Sequence, residues 1–372
     1  MTRTFAQGGR VRVLIVDDSA MIRKVLSLGL SSDPMIEVVG TASGAEQAFE
    51  MIAALRPDVM TLDIEMPRMD GVTFLRRLMP EMPVPTVIIS SATHEGAAVT
   101  LQALEAGAVD VIAKPSLGTV AGSHPAGLGG IMQDVCARVR AAALARPARM
   151  AAQVAMPRHA PASAADQRLI AIGASTGGVQ ALARVLQDMP PDAPGIVIVQ
   201  HMPEGFTRAF AERLDGMTRL RVREAQDGDA VQPGLALVAP GGTRHMVLAG
   251  RAPHWRVTLV DGDPVCFSRP SVDRLFESVA RLAGQQTCAA LLTGMGRDGA
   301  AGLAAIRKAG GFTLAQDEAT SVVWGMPSAA IELGAAMTVQ PIDTVATSLL
   351  SAATHAMPRG ASRNIPQEGT TP

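Results

Sequence analysis

The sequence predicts an α/β protein made of two doubly wound, mostly parallel sheets joined by a linker. Three observations carry this prediction. Short β-branched apolar runs alternate with helical stretches along most of the chain. The alternation breaks once, at "RPARMAAQVAMPRHAPASAADQ", which is rich in Ala, Pro and Arg and has no clear periodicity. At 372 residues the chain is also long for a single core, so two domains are expected.

The first series opens with "VRVLIV" (11–16), a short buried strand, followed by a helix over Met21–Leu30. "IEVVGTA" then "GAEQAFEMIAAL" repeats the unit, as does "PDVMTLDIEMP" then "GVTFLRRLM". "PTVIISS" then "AAVTLQALEAG", and "VDVIAKP" then a helix around Ile131–Arg146, complete five units. The second series begins at "LIAIGAS" and continues with strands at "GIVIVQH", "LRVREA", "LALVAPG", "RVTLVD", "CAALLTG" and "GGFTLAQ". Helices fit "GGVQALARVLQDM", "GFTRAFAERLDG", "SVDRLFESVARLAG" and "DGAAGLAAIRKAG". The expected organisation is a disordered start (1–10), a first domain (11–146), a linker (147–167), a second domain (168–355) and a polar, disordered tail (356–372).

Composition narrows the function. With 48% apolar and 18% charged residues the chain can bury sizeable cores. A net charge of −1, with no basic stripe or helix-turn-helix signal, argues against a nucleic-acid partner. No apolar run approaches the ~18 residues of a membrane span, so no direct membrane insertion is expected. "VRVLIV" is too short for a signal peptide and runs into Asp17 and Asp18. Cys136, Cys266 and Cys288 have no ligand-like spacing and read as buried free thiols in a reducing compartment. The expectation is a soluble, cytoplasmic protein.

Parallel sheets place their chemistry at strand ends. In the first domain these ends carry Asp17 and Asp18, then Asp63, then Ser90 and Ser91, then Lys114. Carboxylates gathered in one cleft can hold a hard divalent cation, and an aspartate there can accept a phosphoryl group. "DDS" alone could be no more than a helix cap. The complete set, each member at a different strand end, points to phosphoryl chemistry. The motifs "LIVDDSAMIRKVL", "DVMTLDIEMPRMDG" and "LEAGAVDVIAKP" resemble those of response-regulator receiver domains over 11–146. That resemblance implies Asp63 as phosphoacceptor, with Asp17, Asp18 and the backbone carbonyl of Glu65 around Mg²⁺. It also implies Lys114 and Ser90 (chosen over Ser91 by alignment to the strand end) as phosphoryl-sensing residues, and a histidine kinase as phosphodonor. Two departures stand out: a long Gly-rich stretch over 116–130, and no aromatic in the strand before Lys114.

In the second domain, "GASTGG" sets Ser175 among glycines just after a strand. Such a loop can present a nucleophile with backbone N–H groups for an oxyanion, or it can cradle a phosphate. The cradle lacks support: no Lys-Ser/Thr follows the glycines, and no acidic residue ends the next strand. A nucleophile needs a base and an orienting acceptor. His201 ends "GIVIVQ", and Asp298 in "LLTGMGRDG" follows another strand. Singly, His201 could be an ordinary loop residue and Asp298 an N-cap; together they favour a triad. His245, inside a new strand, suits catalysis less well. The order Ser…His…Asp is not that of ordinary α/β-hydrolases.

"IGASTGG", "QHMPEGFTRAFAERLD", "SRPSVDRLF", "LLTGMGRDGAAG" and "AQDEATSVVWGMP" resemble the catalytic domain of the chemotaxis protein-glutamate methylesterases, the CheB family, over 169–355. The resemblance implies Ser175, His201 and Asp298 as the triad, with Thr176 and Met295 flanking the site. It implies hydrolysis of glutamate methyl esters on methyl-accepting chemotaxis receptors, releasing methanol, and deamidation of receptor glutamines. The esterase chemistry needs no cofactor, and the receiver is expected to inhibit until Asp63 is phosphorylated. A receiver-controlled binding module, with an anion docked at "GASTGG" and no covalent step, is the rival reading.

Overall fold

The computed structural model describes residues 9–91, 94–114, 127–145 and 168–354. The predicted linker (147–167), the tail (356–372), most of the start (1–10) and most of the Gly-rich stretch lie outside these residues.

The first domain is a five-stranded sheet in the order β2-β1-β3-β4-β5, with every pairing parallel. The strands are β1 (Val11–Val16), β2 (Ile36–Ala42), β3 (Val59–Asp63), β4 (Thr86–Ser90) and β5 (Asp110–Ala113). Between them run α1 (Ala20–Ser31), α2 (Ala45–Leu55), α3 (Gly71–Glu81) and α4 (His94–Glu105), with α5 (Gly127–Ala143) after β5. Ser19 caps α1 and Asp70 caps α3, each accepting from a backbone amide of the first turn. The order reverses at β1, so the crevice between β1 and β3 is the switch point where ligands of such sheets bind. The acidic residues predicted from strand ends open onto it. α5 begins at Gly127, ahead of the predicted Ile131.

The second domain holds a seven-stranded sheet, β14-β13-β12-β6-β7-β9-β8, again parallel throughout. Its strands are β6 (Leu169–Ala174), β7 (Ile196–Gln200), β8 (Arg221–Glu224), β9 (Leu235–Val238), β12 (Thr287–Leu291), β13 (Phe312–Gln316) and β14 (Thr338–Gln340). Helices α6 (Gly178–Gln187), α7 (Phe206–Met217), α8 (Val272–Leu282), α9 (Ala300–Lys308), α10 (Met326–Glu332) and α11 (Ile342–Thr354) cover both faces. The chain leaves β6 toward β7 on one side and later fills β12, β13 and β14 on the other. The ends of β6, β7 and β12 therefore meet at this sheet's own switch point.

One predicted strand belongs elsewhere. "RVTLVD" forms part of β11 (His254–Asp261), which pairs antiparallel with β10 (Arg244–Arg251) as a separate two-stranded hairpin. Only Trp255 and Val257 of β11 are buried, as expected for a ribbon packed on one face and not a strand covered on both. Met246, Leu248, Trp255 and Val257 form that buried face, in one apolar cluster with Leu275, Phe276 and Val279 of α8. The seventh strand of the sheet is the short β14, which periodicity did not reveal. Among the described residues no helix is long and apolar enough to cross a membrane. Cys136 and Cys288 are buried free thiols as predicted, but Cys266 is exposed, because it sits in a tight turn outside the sheet.

Candidate active site

Register brings Ser175 and His201 together. Ala174 of β6 pairs with Gln200 of β7, so the next residue of each strand is Ser175 on one side and His201 on the other. The His201 amide donates to Ala174 O at 3.0 Å, and the Ser175 amide donates to Thr293 O at 3.0 Å. A glycine is required opposite: a Cβ on Gly294 would stand 2.6 Å from Ser175 Cβ. Asp298 reaches the same place from the loop after β12. Its Oδ2 lies 2.7 Å from His201 Nε2. Ser175, His201 and Asp298 are 6%, 6% and 1% exposed.

Asp298 is a saturated carboxylate. Its Oδ1 accepts from Ser271 Oγ at 2.8 Å and from the Asp273 amide at 3.0 Å. Its Oδ2 accepts from the Val272 amide at 2.7 Å as well as facing His201. Two of these donors are free N–H groups at the N-terminus of α8, a natural seat for an anion. Burial pushes the carboxyl up, but the hydrogen bonds from His201 and these amides outweigh it and hold Asp298 below the usual carboxylate range. Next to it Asp273 goes the other way, raised to about 6 by burial and by the charge of Asp298, despite a hydrogen bond from Gly302.

A carboxylate only accepts, so Nε2 of a neutral His201 carries the proton and Nδ1 the lone pair. Among the described residues no hydrogen bond joins that nitrogen to Ser175. Its partner is Ser268 Oγ at 3.3 Å, a contact that sequence reading missed because Ser268 belongs to neither a strand end nor a helix cap. His245 is fully buried and occupied on both sides: Nδ1 accepts from the Ser271 amide at 3.1 Å, and Nε2 lies 3.0 Å from Asp263 O. It supports the residue that caps α8 and bonds Asp298, and it stands away from Ser175 in the hydrogen-bond network.

The turn after Ser175 is met by the first domain. Gly177 has φ +77°, a left-handed conformation that lets the chain turn into α6. Its amide donates to Val109 O at 3.1 Å, while the Gly178 amide turns back to Ser175 O at 2.7 Å. The Thr176 amide has no acceptor among the described residues. Thr176 Oγ1 donates to Asp110 Oδ2 at 2.7 Å, and Arg138 of α5 lies 3.3 Å from the same carboxylate. Gln180 Nε2 donates to Leu104 O and Ala108 O at 2.7 and 3.2 Å, and Arg213 of α7 pairs with Glu105 of α4. Met295 and Val322, partly buried, pack with Val323 against the apolar cluster that contains Val109, Ile112 and Met132 of the first domain.

The other predicted cluster also assembles. Asp17, Asp18 and Asp63 each place a carboxylate oxygen within 4.8 Å of the others. Lys114 Nζ donates to Asp63 Oδ2 at 2.7 Å and stands 3.9 Å from Asp17 Oδ2. Burial raises Asp63 and raises Asp17 to about 6, while Lys114 is raised against its burial by its hydrogen bond to Asp63 and by both carboxylates. Asp17 Oδ1 accepts from the Ser19 amide, but among the described residues the buried Oδ2 has no hydrogen-bond partner. An orphaned buried carboxylate oxygen within reach of two more carboxylates is a hard-cation donor set, so these residues fit a divalent ion. The Glu65 amide donates to Asp63 Oδ1 at 3.2 Å, which brings the Glu65 backbone beside the cluster. Ser90 is buried and accepts from Thr100 Oγ1 at 2.9 Å, whereas Ser91 Oγ lies 3.4 Å from Glu65 Oε1.

Comparisons with known proteins agree with this architecture. A family profile described as CheB methylesterase matches residues 170–349, and one described as response regulator receiver domain matches residues 13–119. The chain is 59% identical over 348 residues to protein-glutamate methylesterase/protein-glutamine glutaminase 2 of Cereibacter sphaeroides, covering 94% of this chain and 93% of that one. It is 51% identical over 344 residues to the enzyme of the same name from Pseudomonas aeruginosa, covering 92% and 97%. Among solved structures, the Thermotoga maritima CheB methylesterase catalytic domain is 38% identical, with a TM-score of 0.48 over 50% of this chain and 97% of that one. With two such relatives matched over more than nine-tenths of both chains, the chain belongs to the CheB methylesterase family, and in it a response-regulator receiver precedes the methylesterase domain.

Proposed function

We propose that this chain is a phosphorylation-regulated serine hydrolase that demethylates glutamate methyl esters on methyl-accepting chemotaxis receptors and deamidates receptor glutamines. The observation that carries the reading is the His201–Asp298 pair, 2.7 Å apart and buried, beside a serine on the adjoining strand end. Ser175 attacks the γ-carbonyl of the methylated glutamate while His201 Nδ1 takes its proton. Asp298 keeps the Nε2–H tautomer and stabilises the imidazolium that forms. The oxyanion is held by the Thr176 amide, and by the Gly177 amide once Val109 O leaves it, at the start of α6; one such donor is worth about 3 kcal/mol. The imidazolium returns its proton to the leaving methoxide, methanol departs, and water then splits the acyl-enzyme in the same way. Met295 and Thr176 line the approach to Ser175.

The receiver controls access. Val109 O occupies the Gly177 amide, Asp110 holds Thr176, and Ser175 and His201 are almost fully buried, an arrangement suited to a closed state. Asp63 is the phosphoacceptor in this reading, with a histidine kinase as donor, and Ser90 and Lys114 contact the phosphoryl group. Asp17, Asp18, Asp63 and the Glu65 carbonyl would hold Mg²⁺, which supplies charge neutralisation for phosphoryl transfer. Phosphorylation acts only through its different stabilisation of closed and open arrangements. The site of action is the cytoplasmic face of the receptors.

The test is methanol release from receptor membranes carrying radiolabelled methyl esters, with and without acetyl phosphate and Mg²⁺. Release that rises with the phosphodonor is expected. No release in either condition, from folded and phosphorylated protein given several receptors, would favour the binding module.

A further inference from the structure

A neutral imidazole offers one in-plane lone pair. In His201 that pair is on Nδ1, because Nε2 faces the Asp298 carboxylate at 2.7 Å. A hydroxyl already stands there, and it belongs to Ser268, with Oγ 3.3 Å from Nδ1. Ser175, the nucleophile in the reading above, has no hydrogen bond to this nitrogen among the described residues. Two hydroxyls therefore compete for a single acceptor orbital, and Ser268 holds it in this structure.

Ser268 is held there by an unusual turn. The amides of Val265 and Ser268 each donate to the other's carbonyl, at 3.1 and 2.8 Å. The two residues between them, Cys266 and Phe267, have φ of +48° and +65°. Both are left-handed, as in the type I′ turn that Asn-Gly normally makes, and here neither is a glycine. Such conformations persist where the surroundings enforce them, and they gather at functional sites. Packing does not enforce this one at its tip, since Phe267 is 90% exposed. The anchor comes from the next residue: Arg269 Nε donates to Gly242 O at 3.1 Å, and its guanidinium donates to Gly262 O at 2.8 Å.

We propose that Ser268 caps the base nitrogen of His201 and so restrains the esterase from within its own domain, a second brake beside the receiver. The inference rests on Ser175 being the nucleophile. Among the described residues Ser268 bonds no group that Ser175 needs other than Nδ1, so removing its hydroxyl leaves the lone pair to Ser175. The strained turn is the element that carries Ser268 away when a substrate engages.

The experiment is the rate at which a serine-directed fluorophosphonate labels the full-length protein, with the labelled residue located by peptide mass. Ser268→Ala is expected to label Ser175 about threefold to tenfold faster than wild type, the range one neutral hydrogen bond spans. Ser268→Thr restores a hydroxyl and is expected to stay within about twofold of wild type, as the hydrogen-bond strength implies. Replacing Cys266 by Asn and Phe267 by Gly together relaxes the turn, holds Ser268 more firmly and slows labelling. Unchanged or slower labelling of Ser268→Ala, or a threonine variant as fast as the alanine variant, overturns the proposal. Wild type labelled at a residue other than Ser175 is a different failure, because it removes the nucleophile reading itself.

Discussion

Asp17 and Asp298 are both buried aspartates beside parallel strands, each 1% exposed, yet their surroundings drive them in opposite directions. Asp298 has a donor for every part of its carboxylate: two amides of α8, the Ser271 hydroxyl and His201. Among the described residues, Asp17 has one amide on Oδ1 and no hydrogen bond on Oδ2, with the Lys114 ammonium 3.9 Å away. The first is held below the usual carboxylate range and the second is raised to about 6. A carboxylate whose hydrogen bonds are complete is a fixed charge ready to orient a neighbour. One left short of partners at the same depth is costly until a cation arrives.

The largest effect expected from this contrast is in Asp298→Asn. An amide there puts an N–H where His201 needs an acceptor and reverses the imidazole tautomer. A fall in kcat of about three to four orders of magnitude is expected, with KM for receptor esters changed only severalfold. A fall of less than tenfold, in protein shown to be folded, would reduce Asp298 to an anion that caps α8. Asp17→Asn is the opposite case. Phosphorylation by acetyl phosphate should drop about a hundredfold at fixed Mg²⁺, because the donor set loses a charged oxygen. The same variant should melt higher without Mg²⁺, by about 1–3 kcal/mol, because an unpartnered buried charge is gone. An unchanged or lower melting point would mean that Lys114 already offsets that charge.

How much of this was legible beforehand follows the same line. Ser175, His201, Asp63 and Lys114 are announced by their places after apolar runs, since a parallel sheet must deliver its strand ends to one edge. Asp298 is announced by the same logic, but its grip on α8 is not, because nothing local links it to Ser271, 27 residues away. The contacts of Asp110 with Thr176 and of Val109 with Gly177 join residues more than sixty positions apart across two domains, where periodicity is silent. Ser268 is invisible for a related reason: a turn of Cys and Phe carries none of the Asn or Gly that marks such turns. The β10–β11 hairpin is silent for another reason: "RVTLVD" has the apolar run of a strand, and nothing in it separates an antiparallel hairpin from one more strand of the sheet.

The contrast sharpens at Asp273, whose amide bonds Asp298 while its own carboxyl is raised to about 6. A folded-state pKa above the unfolded value of about 3.9 means that the folded protein binds the extra proton. Stability from this group is therefore full at low pH and lost as pH rises from about 4 through about 6. Asp273→Asn keeps an acceptor for the Gly302 amide and removes the titration. Relative to wild type it should gain on the order of 3 kcal/mol between pH 4 and pH 7, read from denaturant melts at each pH. A difference that does not move with pH would mean that Asp273 is not raised in the folded protein.

The smallest effect expected lies between the two domains, where Asp110 shares the Thr176 hydroxyl and the Arg138 guanidinium. Asp110→Asn keeps the shape but turns a charge-assisted contact into a neutral one and leaves Arg138, among the described residues, with the Asp134 carboxylate as its ion-pair partner. Loss of about 1.4 kcal/mol from the closed arrangement shifts the closed-to-open ratio about tenfold. Resting methanol release should therefore rise severalfold, up to about tenfold, without any phosphodonor. The fully phosphorylated rate should stay where it is, because the open state lacks the contact in either protein, so the stimulation ratio shrinks from below. Adding Asp63→Asn separates this from altered phosphorylation: the double variant should keep the raised resting rate and lose the response to acetyl phosphate. A resting rate equal to wild type would mean that the apolar packing of Val322, Val323 and Met295 holds the domains together by itself, with Asp110 and Thr176 only filling their hydrogen bonds.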